Sequence, residues 1–206
     1  MNGWGIYLLF LVPPLLIGFG VQAWLRSTVT REMGVGVRTG LSGAEVARLI
    51  LDRNGLDGVP VETSPGGPLS DHYDPRRRAV FLSQPVHQGR AVAATAIGAH
   101  EVGHALQHAQ AWSFFRLRSA LWPAVAFASS AWIVILLIGA LLGALGLVWL
   151  AIVLYAVVVL FQLVTLPVEF DASRRAMVQL RELNLVTEPE REGARKVLTA
   201  ASAPAT

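Results

Sequence analysis

His100-Glu101-Val102-Gly103-His104 carries the pattern H-E-x-x-H. On a helix the i, i+4 spacing puts both imidazoles on one face, one turn apart, where they can share a metal ion. Neutral imidazole nitrogens and a four-coordinate site favour zinc. Glu101 sits between the two. It is placed to take a proton from a metal-bound water and pass it to a leaving amine. The competing reading is two unrelated helical histidines beside a solvated glutamate. The chain has no cysteine, which excludes a zinc-thiolate site, a disulfide and a thiol nucleophile.

Two histidines leave such a metal one protein ligand short. His108 shares their face, but on an unbroken helix it lies about 12 Å along the axis from His100, against metal bonds of about 2.0–2.1 Å. Residues 105–107 are Ala-Leu-Gln and continue the helix without a glycine turn. Glu169 is the better third ligand. It and Asp171 are the only acids between Arg118 and Glu182. Glu169 directly follows a long uncharged run, where a carboxylate is costly unless paired or coordinated. Two other readings stand beside it: Glu169 as a partner for Arg174 or Arg175, and Asp171 as the ligand in its place.

The elements that position these residues are largely apolar. The 206 residues are 53% hydrophobic and only 15% charged, with a mean hydropathy of +0.50. A soluble domain carries about a quarter charged residues, so the balance argues against an ordinary globule and against disorder. The net charge of +3 is too small and too dispersed for a nucleic-acid surface. Residues 1–25 and 119–168 contain no charged side chain. As a helix, Trp4–Leu25 would be about 33 Å long, enough to cross a bilayer. It lacks a basic leader and a small-residue cleavage site, so it reads as a retained span rather than a signal peptide. The stretch from Ser119 to Val168 is too long for one span. It fits a hairpin of two, near 120–140 and 145–166, with Gly139, Gly143 and Gly146 in the turn region.

Basic residues flank the spans on one side. Arg26, Arg31 and Arg38 follow the first, Arg116 and Arg118 precede the second, and Arg174, Arg175 and Arg181 follow the third. The positive-inside rule then puts the N-terminus outside and residues 26–118 and 169–206 in the cytoplasm. The expected organisation is a transmembrane helix over 4–25, a catalytic part over 26–118 with the HEVGH helix, a membrane hairpin over 119–168, and a helical segment over 169–206 that supplies the third ligand. Ser42–Glu45 and Thr187–Glu190 read as capping boxes that open helices. Val59–Glu62 and Arg78–Ser83 read as short strands, the second as a sheet edge able to take an extended peptide. Residues 91–112 read as the helix of the histidine pair. In Asp71-His-Tyr-Asp-Pro75, His72 or Tyr73 is a candidate hydrogen-bond donor to an oxyanion. The plainer reading of that block is a turn fixed by its Asp and Pro side chains.

Three blocks in order are similar to a known family: His100-Glu-Val-Gly-His104-Ala-Leu-Gln107, Asp71–Pro75 with Val80–Ser83, and Leu166-Pro-Val-Glu-Phe-Asp-Ala-Ser173. They resemble the bacterial YugP-type neutral zinc metallopeptidases, membrane proteases of the zincin class, over roughly residues 4–198. With the three spans, the resemblance implies a mostly α membrane protein: three transmembrane helices plus a small zincin-like α+β catalytic domain. It implies Zn2+ bound by His100, His104 and Glu169, with Glu101 as general base. It also implies a multi-pass protein of the bacterial inner (plasma) membrane, its active site on the cytoplasmic side. The spacing from Glu169 to Ala172 is similar too to the CaaX-processing and heat-shock membrane peptidases, which use that Glu as third ligand. Those carry an Asp where Ser173 stands, which leaves the group that orients a ligand histidine unassigned.

The expected function is a membrane-bound zinc metalloendopeptidase acting on membrane-associated or extended protein substrates. Its partners are then a protein or peptide substrate and the lipid bilayer, with no nucleic acid. Two rivals differ in class. An intramembrane, site-2-like zinc protease would need a second, embedded ligand block of Asn, Pro, Asp and Gly. A zinc-stabilised membrane scaffold would need no base, and the intact Glu101 argues against it.

Overall fold

Capping and turn chemistry set the element boundaries. The computed structural model of the chain describes residues 3–202, less the side chains of 3–11 and 13–15. In order the elements are α1 (Gly3–Met33), α2 (Gly43–Arg53), β1 (Val61–Thr63), β2 (His72–Asp74), β3 (Ala79–Leu82), α3 (Gln84–Gln88), α4 (Val92–Ala109), α5 (Ser113–Leu141), α6 (Leu145–Glu182) and α7 (Glu188–Ala201). Both expected capping boxes form. The Glu45 N–H donates to Ser42 Oγ at 3.2 Å and the Ser42 N–H donates back to the Glu45 carboxylate at 2.7 Å. Thr187 and Glu190 open α7 in the same way.

The chain forms two compact units: residues up to Leu106 together with those from Glu169, and Gln107–Val168. The first unit has the small sheet, in the order β1-β3-β2. β1 runs parallel to β3, with Val61 opposite Val80, and β2 runs antiparallel to it, with His72 opposite Phe81. This corrects the expectation that 78–83 is an edge. β3 is the central strand, its two sides are both taken by ladder partners, and all four of its residues are buried. An all-apolar run suits a strand covered on both faces better than a half-solvated edge. The Asp71–Pro75 block is likewise not a turn throughout. His72–Asp74 is a strand, and the turn follows it, where the N–H groups of Arg76 and Arg77 donate to Asp74 Oδ1 at 2.8 and 3.1 Å. The core around Val46, Ile50, Val80, Leu82, Val102, Leu180 and Val197 joins α2, β3, α4, α6 and α7. Helix α1 packs on α7.

The second unit is a helical hairpin. Its turn is Leu142-Gly143-Ala144, with Gly143 at φ +63°, a conformation open to glycine. Gly139 lets the arms close: a Cβ there would lie 2.9 Å from Leu147 Cβ and 3.0 Å from the Val148 nitrogen. Trp132 meets Tyr155, and Trp122 meets Phe161. The expected spans 120–140 and 145–166 fall inside α5 and α6, but both helices outrun them, and α6 carries through Pro167 to Glu182. Among the described residues these two helices are long and apolar enough to cross a membrane. Residues 4–25 fall in α1, which continues to Met33; half of their side chains lie outside the described residues.

Candidate metal centre

Helix α4 is rich in alanine and buried from residue 92 to residue 107. Its glycines allow close approach. A Cβ on Gly98 would lie 2.5 Å from the Gly43 carbonyl oxygen, and one on Gly103 would lie 2.6 Å from the Ala172 carbonyl oxygen. At Gly103, α4 therefore meets α6 backbone to backbone, so side chains within a turn of that contact converge. Glu169 Oε2 lies 3.2 Å from His100 Nε2 and 3.3 Å from His104 Nε2. One ligand atom from each of the three residues falls within a 4.8 Å cluster. The two imidazoles, 4% and 5% exposed, stand edge-on with centroids 4.9 Å apart.

This donor set fits a zinc ion. Four ligands at about 2.0–2.1 Å in tetrahedral array sit roughly 3.3–3.4 Å from one another, close to the two nitrogen–oxygen separations. The electrostatics agree. Burial alone pushes the Glu169 carboxyl up, but the facing imidazoles of His104 and His100 outweigh it and hold the group well below the usual carboxylate range. The cluster thus combines one ionised carboxylate with two imidazoles. Glu101 is buried on the same helix, one residue after His100.

The other candidates lie elsewhere. His108 stacks on Phe115 at 5.5 Å. Asp171 takes the guanidinium groups of Arg174 and Arg175, so both arginines offered as partners for Glu169 are occupied by its neighbour. His72 directs Nδ1 at the Ser70 carbonyl, 2.9 Å away, and stacks on Phe81 at 5.0 Å. Tyr73 packs against the core, and burial raises its hydroxyl pKa. Asp71 is explained locally. Its carboxylate accepts the Ser83 N–H at 2.7 Å and the Ser83 hydroxyl at 3.0 Å, while burial pushes its pKa up despite those bonds.

One contributor is not evident from its residue type. Ser173 Oγ lies 3.0 Å from His100 Nδ1. The available signal for Ser173 was its place four residues after Glu169, where similar peptidases carry Asp.

Two histidines one helical turn apart, with a carboxylate from a second helix beside them, form a donor set that could hold a metal ion. A model of the family described as "Putative neutral zinc metallopeptidase" matches residues 7–204, and the chain belongs to that family. It is thus a zinc metallopeptidase, a hydrolase. A protein of Bacillus subtilis (strain 168) described as "Putative membrane protease YugP" is 43% identical over 197 residues, which cover 96% of this chain and 87% of that one. No solved structure matches the chain.

Proposed function

We propose that the chain is an integral membrane zinc endopeptidase, with His100, His104 and Glu169 as zinc ligands and Glu101 as general base. The observation that carries this reading is the meeting of the Glu169 carboxylate with both imidazoles, across 69 residues of sequence from His100. Three protein ligands leave a tetrahedral position open, as a catalytic site requires. Zinc held there supplies Lewis acidity toward the scissile carbonyl and lowers the pKa of the attacking water to about 7. Glu101 accepts that water's proton and delivers it to the departing amine. Glu169 and the histidines hold the centre from two helices that cross closely at Gly103.

The membrane reading places spans at 4–25, 120–140 and 145–166, the N-terminus outside, and residues 26–118 and 169–206 on the cytoplasmic side of a bacterial inner membrane. It is supported by the one-sided arginines, by the exposed apolar faces of α5 and α6, and by the description of the Bacillus relative as a membrane protease. A centre at the membrane surface favours membrane-associated or extended protein substrates.

Metal analysis of purified variants tests the ligand set. His100→Ala, His104→Ala and Glu169→Ala lose zinc, His108→Ala and Asp171→Ala keep it, and Glu101→Gln keeps zinc but loses peptidase activity. Stoichiometric zinc in Glu169→Ala, with loss in Asp171→Ala, overturns the set. A reporter inserted near Gly66 reads as cytoplasmic and one at Gly143 as external; the reverse result overturns the topology.

A further inference from the structure

The side of His100 remote from Glu169 faces two serines and a carbonyl. Ser173 Oγ is 3.0 Å from His100 Nδ1, 3.0 Å from the Leu198 carbonyl oxygen and 2.7 Å from Ser202 Oγ. Ser202 Oγ is 2.8 Å from the same carbonyl and 3.4 Å from the Glu169 carbonyl. Ser202 is 1% exposed and caps the C-terminus of α7. Leu198 is one turn earlier on the same helix. The group therefore joins α4, α6 and α7 behind the metal position.

Counting hydrogens gives this group a direction. A carbonyl only accepts, and each hydroxyl brings one hydrogen. Suppose Nδ1 is bare. Ser173 must then donate to it, and the single Ser202 hydrogen must serve both of its short oxygen contacts, at 2.7 and 2.8 Å. Two of the four contacts within the group then stay unbridged, Ser173–Leu198 and one of the Ser202 pair, which is costly. If Nδ1 carries a hydrogen, His100 donates to Ser173, Ser173 to Ser202 and Ser202 to the Leu198 carbonyl, which leaves only the Ser173–Leu198 contact unbridged.

The geometry points to Ser173 and Ser202 as positioning residues that fix His100 in its Nδ1–H tautomer and turn the Nε2 lone pair onto the metal. This rests on His100 being a zinc ligand, as proposed above. It makes α7 part of the metal centre although that helix contributes no ligand. It also supplies the orienting partner that a metal-bound histidine uses to hold its ring.

The test uses the full chain in detergent micelles. In chelator competition, Ser173→Ala weakens zinc binding about 10–100-fold and Ser202→Ala by a smaller factor. Ser202→Thr, which keeps the hydroxyl, restores it. Nitrogen NMR of the zinc-bound protein shows a His100 Nδ1–H held in a hydrogen bond in the wild type and one released to solvent exchange in Ser173→Ala. A serine with only a packing role moves the thermal midpoint but not the Nδ1–H signal. Wild-type zinc affinity in Ser173→Ala, or a zinc-bound wild type whose His100 Nδ1–H shows no hydrogen bond, overturns the proposal. If Ser173→Ala does not fold, the wild-type spectrum and Ser202→Ala decide. Loss of zinc in His100→Ala with full binding in Ser173→Ala defeats the relay alone; zinc retained in His100→Ala defeats the ligand reading beneath it.

Discussion

Helices α4 and α5 are both mostly apolar, yet they solve different problems. In α4 each residue from Val92 to Gln107 is buried. Several of its polar side chains reach other elements: His100 meets Glu169 and Ser173, and Gln107 meets the Val168 carbonyl. In α5 many large apolar side chains are outside, with Phe127 68% and Leu137 57% exposed, although Phe115 and Val125 are buried. Ser129 and Ser130 turn inward to their own helix, each donating to the Ala126 carbonyl at 3.1 Å. Apolar composition alone does not separate the two. What separates them is where the polar atoms find partners. A helix covered by protein can use neighbouring elements; a helix whose apolar face is exposed has its own backbone as the nearest partner for its hydroxyls.

The sharpest break in this comparison comes from glycines. Gly103→Ala puts a Cβ 2.6 Å from the Ala172 carbonyl oxygen and pushes α4 from α6. Overpacking of this kind costs about 1–3 kcal/mol, and a shift of a few tenths of an ångström spoils a metal site. The expected result is loss of zinc together with a lower thermal midpoint. Gly146→Ala, where nothing lies within 4 Å, leaves both unchanged. Equal behaviour of the two variants would remove the close crossing as the basis of the site.

Core and surface substitutions come next. Leu180 in α6 is fully buried, and Leu180→Ala costs about 2–5 kcal/mol. Leu160 lies on the same helix but is 59% exposed, and Leu160→Ala changes the midpoint in detergent by under about 0.5 kcal/mol. Val153→Arg sharpens the contrast. Val153 is 57% exposed, and arginine near the middle of a span costs about 2.5–3.5 kcal/mol of membrane insertion. Membrane-fraction assays should show less inserted protein. Undiminished insertion would argue that this face of α6 is not lipid-facing.

The contrast also marks what the residues alone could reveal. The histidine pair and Glu101 were legible because metal chemistry demands particular side chains at helical spacing. Glu169 was legible because a carboxylate at the end of an uncharged run needs a reason. Ser173 and Ser202 were not, since serine suits many roles and their common acceptor is the backbone of Leu198, 25 residues from Ser173. Gly103 read only as the variable part of the motif, because a close crossing depends on a helix far off in sequence. The central position of β3 escaped for a similar reason: which strand lies between two others is a tertiary property that four apolar residues do not encode.

Helix ends carry the mildest form of the same difference. Helix α5 opens at Trp112 with no side-chain cap, whereas α7 opens on a capping box. Glu190 serves α7 twice, accepting the Thr187 N–H at 2.7 Å and the Arg38 N–H at 2.6 Å. Burial acts to raise its pKa, but these two donors outweigh it and the carboxyl lies below its ordinary value. A depressed carboxylate pKa means the unfolded state binds the proton more readily. Its stabilisation is complete above the unfolded value of 4.5 and fades as pH falls through the folded one. Glu190→Gln keeps the shape but loses the charge and one acceptor, a loss of about 1 kcal/mol near neutral pH. Thermal midpoints of wild type and variant should differ by a few degrees near neutrality and converge as the pH is lowered toward about 3. A gap that stays constant across this range would mean that Glu190 acts through packing. The ends of α7 would then be no more dependent on charge than the uncapped start of α5.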